Sequence, residues 1–460
     1  MKDSWILRIK ITAIVLILLL IPLQYGAGEE IGPDMLLSGR YASPFTISIT
    51  DPSYKHIAQF GEERTSCLNK VLSHLTLSVS VDGKLSETTL MVDQEPLYSI
   101  DEEDTDTVRK TVYSFDPDTV YEQNTEKTEE DMSFPVFLEN HFFSLNRMLD
   151  DLYPLFEKTA DAFQEFAKPS AASLSFRGYG KGVRKIQISL SDQYVSDHFP
   201  YALAALACTE ESRLFIEKLI FKGAQKIVLL YDQEDKLLRI NYDGTVGLEE
   251  HSMRRVSLAW RCVRSDDVKK DNLSLKTPAQ KGTDRYNISY ERETDLSDPD
   301  HHKIKWDLQI DLKTEQKKQK ISSNADLMFS EQKLTGQIVF SDKQENEEKE
   351  ITITPSLQKE NDSEYAGTIE ITNNSGKIVL SSIAASVRIA SGNPLHFPET
   401  QDLQLIKVAD DDQASVMDRL SDMQNRILIR RLLSLPTEDL AFFSMDIPKD
   451  VWQTLMQTLI

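Results

Sequence analysis

The sequence predicts an α+β protein that is mainly antiparallel β, with a large one-faced meander sheet covered by amphipathic helices, after an N-terminal apolar export segment. Apolar and polar residues alternate over 285–395, as in Ile304, Trp306 and Leu308, and this is the period of strands with one buried face. The links between these runs, such as 341–349, are short and polar, which favours consecutive antiparallel strands. The charged residues that alternate with the apolar ones are expected to form an ordinary solvated face.

The N-terminal residues predict export. Lys2, Arg8 and Lys10 precede an uncharged run over 11–23, and the small residues Gly26 and Gly28 follow it. Such a run is typical of a signal peptide and short for a transmembrane helix. We expect either cleavage after Gly28 or an uncleaved anchor that contacts the membrane through residues 11–27. Both place the rest of the chain outside the cytoplasm, secreted or anchored to the membrane by the N-terminal segment.

Shifts in period and polarity divide the chain into five expected regions. They are a signal peptide or membrane anchor (1–28), a mixed α+β region (29–263), a polar linker (264–284), an antiparallel β meander (285–395) and a C-terminal helical region (396–460).

Helical stripes provide the expected cover for the sheet. Apolar residues recur every three or four positions from Leu138 to Ala167, interrupted by Pro154, as on one face of a helix. We expect helices at 136–167, 198–222 and 411–434 to cover the inward side chains of the meander, because leaving these in water would cost about 20 kcal/mol. The inward set comprises Trp306, Leu308, Ile310, Leu327, Phe329, Ile338, Phe340, Ile351, Ile353, Ile369 and Ile371.

The charge balance disfavours a nucleic-acid partner. Lys and Arg number 52 against 74 Asp and Glu, a formal charge of −22, and nothing in that balance would neutralise phosphates. The acids concentrate over 101–131, but this stretch contains no glycine for a calcium loop. A solvated acidic loop around a strand at 108–115 is the better interpretation.

No constellation of residues predicts catalysis, a cofactor or a metal. Cys67, Cys208 and Cys262 are too few for a disulfide scaffold; two of them could pair, and Cys67 and Cys208 are expected to be small buried residues. Ser330 and Lys333 match SxxK but are expected to join two strands. The tandem His301 and His302 are expected in a polar loop before the strand at 304–312; on a strand they would point to opposite faces and could not both bind one metal. We therefore assign no catalytic, cofactor-binding or metal site, and no cofactor.

Three functions remain open. The first is an exported, non-catalytic, envelope-associated protein with a structural or binding role, whose ligand or protein partner is unknown. The layout of export segment, one-faced sheet and amphipathic helices is also similar to that of exported lipid-carrier folds of the half-barrel kind, although no motif residue carries this resemblance. It implies the alternative, a carrier of an apolar, lipid-like ligand between a curved sheet and helices. The second alternative is a hydrolase with an unrecognised site.

Overall fold

The computed structural model describes most of the chain between residues 44 and 439. The described residues are 44–58, 60–82, 85–104, 108–116, 119–126, 152–169, 174–176, 180–207, 213, 216–217, 219–247, 253–265, 267–277, 285–295, 297–298, 302–313, 318–330, 333–344, 347–361, 364–398, 404–407, 431, 434–436 and 438–439. The expected export segment at 1–28 and the N-terminal half of the predicted helix at 136–167 lie outside these residues, as do Cys208, His301 and nearly all of the predicted helix at 411–434.

The described elements are strands for the most part. The first are β1 (Phe45–Ile57), α1 (Glu62–Leu72), β2 (Leu75–Asp82), β3 (Leu85–Val92), β4 (Glu95–Asp104), β5 (Val108–Asp116) and β6 (Thr119–Glu126). Next come α2 (152–162), a 3-10 helix (Gln164–Phe166), β7 (Ala167–Pro169), β8 (Leu174–Phe176), β9 (Gly180–Leu190), α3 (Asp192–Asp197) and α4 (Phe199–Ala204). Then follow β10 (Ile220–Tyr231), β11 (Leu237–Gly247), β12 (Arg254–Arg264), β13 (Val268–Lys276), β14 (Arg285–Asp295), β15 (His302–Lys313) and β16 (Lys318–Ser330). The last are β17 (Lys333–Gln344), β18 (Glu347–Asn361), β19 (Glu364–Ser375), β20 (Ile378–Ser391) and β21 (Gln404–Lys407).

The chain forms two compact units. The first unit comprises 1–143, 331–336 and 351–460, and the second comprises 144–330 and 337–350. Residues of β17 and β18 therefore belong to both units.

In the first unit the strands pair in the order β19, β20, β1, β2, β3, β4, β5, β6 and β21. All these pairs are antiparallel except β6 with β21. Asp82 pairs with Leu85, so β2 and β3 form a hairpin. The strand expected at 108–115 is confirmed as β5.

The core of the first unit forms where α1 packs against β1 to β4. Leu68, Val71 and Leu72 lie at helical spacing on α1 and are nearly inaccessible to water. They share a cluster with Tyr54, Phe60, Leu75, Leu90, Val92, Leu97 and Leu435. Period-2 alternation along the strands and 3.6-residue spacing along the helix thus place apolar groups on facing surfaces.

In the second unit, β9 to β16 form an uninterrupted antiparallel meander in which each strand pairs with the next. The structure differs from the sequence prediction at 264–284, because β13 lies within that stretch and is hydrogen-bonded to β12 and β14. Turn-forming residues made this stretch resemble a linker, but cross-strand pairing satisfies its backbone groups just as it does in the neighbouring strands. The prediction of a mainly antiparallel sheet is confirmed.

Two predicted helical regions contain strands. Within 198–222 the helix α4 ends at Ala204 and β10 begins at Ile220, while β21 lies inside the region 396–460 and pairs with β6. Short apolar runs fit either secondary structure, and tertiary pairing decides between them.

The inward set of the meander is buried for the most part. Ile310 and Phe340 are half-buried, and the side chain of Phe329 lies outside the described residues. The other eight residues of the set are at most 7% exposed. In the second unit, α2 places Tyr153 and Phe156 edge-on against Trp260 of β12; cover of the rest of the sheet by helices stays a prediction. Among the described residues, no helix has both the length and the apolar character needed to cross a membrane.

Candidate binding surface

The sheet β9–β16 of the second unit has one buried and one exposed face, and we call the exposed one the polar face. Residues in register share a face, so a single row crosses seven strands from β10 to β16. The row consists of Lys226, Asp243, Ser257, Lys276, Asn287, Asp311 and Lys320. The described residues that share this face on β9–β16 are exposed or half-exposed, except for Val183 and Leu230.

The polar face is cationic although the protein is acidic. Its positive residues are Lys185, Lys222, Lys226, Arg239, Arg255, Arg261, Lys270, Lys276, Arg285, Lys303, Lys305, Lys313, Lys318 and Lys320. Its negative residues are Asp243, Glu291, Glu293, Asp295, Asp307, Asp311 and Asp326. The face therefore carries twice as many cations as anions, against a whole-chain charge of −22.

Near its middle the polar face compensates its own charges. Arg255 binds Asp243 at 2.8 Å, and Lys270 binds Glu293 at 2.7 Å. Lys305 lies 2.5 Å from Asp326. These exposed pairs contribute little to stability, but they orient the long side chains across the strands.

At one end of the polar face the compensation is weaker. Arg285 of β14 lies directly opposite Lys313 of β15, which in turn lies opposite Lys318 of β16. These three, together with Lys320 and Lys343, line an open depression of about 400 Å³, and we call the five residues the cationic cluster. Asp311 is the carboxylate among the described lining residues, and it lies opposite Lys320. Lys343 binds Glu348 at 3.1 Å.

Two further depressions lie on the same face. One, of about 550 Å³, is lined by polar-face residues that include Lys226, Arg239, Asn241 and Arg255. The other, of about 470 Å³, includes Arg261, Asn272 and Lys305. All three depressions therefore present charged and amide groups to solvent.

Behind the polar face, a buried charge network joins three strands. Asp271 of β13 accepts hydrogen bonds from Trp260 Nε1 at 2.9 Å, Arg264 at 2.7 Å and Arg292 Nε at 2.7 Å. The side chains of Asp271 and Arg292 are fully buried, so the network holds β12, β13 and β14 together. Arg264 also lies over the ring of Tyr153 from α2.

The residues considered from sequence do not converge on a site. Ser330 ends β16 and Lys333 begins β17, so the SxxK match joins two strands as expected. His302 begins β15. Cys67 and Cys262 are free thiols, the first half-buried and the second buried, and burial raises the pKa of Cys262 to about 12. Among the described residues, no group of three or more His, Cys, Asp or Glu could hold a metal ion.

The pattern of residues along the sequence did not indicate the polar face as a candidate site. Its cations lie on strands that are ten to twenty residues apart, so each strand by itself looks like a normal solvated strand. The one local signal is the run of Lys313, Lys318 and Lys320 across a single hairpin.

Comparison with known proteins identifies no family. No family model and no curated protein matches the sequence. Among solved structures, the outer-membrane expressed OmpT of Vibrio cholerae aligns with 76% of this chain and 95% of its own, at 8% identity and a TM-score of 0.24. The CymD monoaromatic hydrocarbon channel aligns with 81% of this chain and 96% of its own, at 8% identity and a TM-score of 0.21. Similarity at this level carries no functional argument.

Proposed function

We propose that this protein is an exported, non-catalytic, envelope-associated binding protein that contacts its partner through the polar face of the second unit. The observation that carries this proposal is the division of the sheet into two faces. Apolar side chains such as Trp260, Tyr290 and Ile304 are almost fully buried on one face, whereas the other presents charged and amide groups. A surface rich in hydrogen-bonding groups suits a polar ligand or partner.

The polar face itself does not suit an apolar ligand. The three depressions on the polar face are bordered by groups such as Lys226, Arg261 and Lys313. Burying these groups against a hydrocarbon chain would leave them without water and without new hydrogen bonds, which costs several kcal/mol per charged group.

The carboxylates of the face favour binding over hydrolysis. Asp243, Glu293 and Asp326 each bind a neighbouring Lys or Arg. A carboxylate that already contacts a neighbouring cation is not free to contact a substrate as a general acid or base. A hydrolase therefore has less support than a binding protein.

Export rests on the sequence. The basic residues, apolar run and small residues of 1–28 resemble a signal peptide or anchor. The acidic charge of the whole chain suits a soluble extracytoplasmic body.

The test has two readouts, one on a fusion of the N-terminal residues and one on the full-length chain. Fusing residues 1–40 to a reporter that is active only outside the cytoplasm should give activity; a reporter that stays cytoplasmic would contradict export. The full-length protein, purified in mild detergent and then analysed by mass spectrometry, should carry no stoichiometric lipid. Lipid bound at one molecule per chain would instead support the carrier.

A further inference from the structure

The cationic cluster brings like charges together across three strands. Arg285, Lys313 and Lys318 occupy directly opposed register positions on β14, β15 and β16, and like charges in such positions destabilise a sheet. A bound anion would convert this repulsion into attraction. We propose that the cationic cluster is the primary contact for an anionic polysaccharide; this inference rests on the proposed function and names the chemistry of its partner.

The local charge favours an anion over a neutral ligand. Five cations line the depression with Asp311 as the opposing carboxylate. The fields of several charges of one sign around a shallow depression add together, and the resulting field attracts and orients an anion. Arg285 can in addition donate two parallel hydrogen bonds to a carboxylate, sulfate or phosphate.

The length of the polar face favours an extended ligand. Strands lie about 4.8 Å apart, so the row from Lys226 to Lys320 spans roughly 30 Å. Cations recur along that distance and are separated by Asn, Ser and Asp side chains such as Ser257, Asn287 and Asp311. This alternation of charge and hydrogen-bonding groups matches a polymer whose charges are one or more sugar residues apart and whose hydroxyl groups lie between them.

The same composition disfavours nucleic acid and protein. The described residues that line the depression at the cationic cluster include no Phe, Tyr or Trp, whereas binding of single-stranded nucleic acid depends on aromatic stacking. Double-stranded DNA carries one charge per roughly 1.7 Å, and seven interleaved carboxylates would repel such a dense polyanion. Protein interfaces likewise draw most of their affinity from Trp, Tyr and Arg anchors, and two of these three residue types are missing here.

The experiment measures binding of the full-length chain in detergent to immobilised polygalacturonate and heparin, with neutral dextran and single-stranded DNA as comparisons. The test variant is Lys313→Gln/Lys318→Gln. The control variant is Lys70→Gln/Lys377→Gln, which removes the same charge at exposed positions of the first unit. We expect both anionic polysaccharides to bind and dextran not to bind. The test variant should lose about tenfold in affinity and the control less than about twofold.

A loss of binding can be distinguished from a loss of folding, and failure of this inference can be distinguished from failure of the proposed function. Removing the like-charge repulsion should leave the urea midpoint of the test variant equal to or above that of the native chain, so weaker binding would not reflect unfolding. Equal affinity for dextran, equal losses in both variants, or tighter binding of DNA would overturn this inference. If the chain is still exported and free of lipid in that case, the proposed binding function survives and only the polysaccharide assignment fails.

Discussion

At Asp271 a single carboxylate accepts hydrogen bonds from two arginine side chains and one indole N–H in the interior of the second unit. Removing it would take from the buried Arg292 a carboxylate to which it is directly bound, and such changes typically cost about 3–5 kcal/mol. We therefore predict that Asp271→Ala lowers the free energy of unfolding by this amount, as measured by urea titration with tryptophan fluorescence.

The matched control is Asp326→Ala on the polar face. Asp326 pairs with Lys305 at 2.5 Å, but both side chains are substantially exposed, so its removal should cost less than about 1 kcal/mol. Similar losses of unfolding free energy in the two variants would show that the Asp271 network does not stabilise the interior of the second unit.

Asp101 of β4 makes stability depend on pH in the first unit. Burial, followed by the charge of Glu87 directly opposite on β3, raises the pKa of Asp101 to about 6. Because the folded state favours the protonated form, stability falls as pH rises from about 4 through about 6. Asp101→Asn should therefore raise the free energy of unfolding at pH 8, measured by urea titration, by at most about 1 kcal/mol for a half-exposed group.

At pH 3 and below the same substitution should have little effect, because Asp101 is then protonated in the folded state and largely protonated in the unfolded one. An equal gain at pH 3 and pH 8 would mean that the side-chain amide, rather than the loss of charge, stabilises the strand pair.

At the scale of elements, a short C-terminal segment docks on the core of the first unit. Leu435 is buried in the cluster formed by α1 and its strands, and Arg431 forms an ion pair with Glu95. His74 lies between two carboxylates, with Nδ1 2.6 Å from Asp93 and Nε2 3.2 Å from Asp439. The histidine therefore links the turn that follows α1 to this segment.

This link should tighten at acidic pH. The hydrogen bond to Asp93 raises the pKa of His74, burial opposes the rise, and Asp439 adds to it. A raised histidine pKa gives a contribution that is complete below the unfolded value of about 6.5 and is lost as pH rises through the folded value. Hydrogen exchange of residues 434–439 should thus be slower at pH 5.5 than at pH 8, after correction for intrinsic rates.

His74→Gln should remove that difference between the two pH values. His56→Gln, at an exposed position of β1, should preserve it and serves as the control. A pH effect that persists without His74 would assign the coupling to other groups.

For the whole molecule, the opposing charges of chain and polar face predict opposite responses to salt. A formal charge of −22 destabilises the compact state through self-repulsion, which dissolved ions screen. Raising NaCl from about 10 mM to about 300 mM should therefore raise the melting temperature and, at the same time, weaken binding of an anionic polysaccharide. A fall in both quantities would mean that local attractive pairs outweigh the net repulsion.

The sequence by itself determined the strand-rich architecture and which face of each strand would be buried. Alternation along Ile304, Trp306 and Leu308 is a local property, and the physical cost of wetting apolar groups makes it decisive. Local patterns did not predict the strands whose formation depends on pairing with a neighbouring strand. Examples are β13, which lies within a polar stretch, and β21, which lies within an expected helical region.

Only the tertiary structure decided where the candidate site lies. The network at Asp271 takes its donors from β12 and β14, and the opposition of Arg285, Lys313 and Lys318 depends on the register of three strands. No single segment contains this information, because a one-residue slip in pairing would move each side chain to the other face of the sheet. Charge therefore accumulates on the polar face through strand registration, and the composition of the chain, acidic as a whole, gives no sign of it.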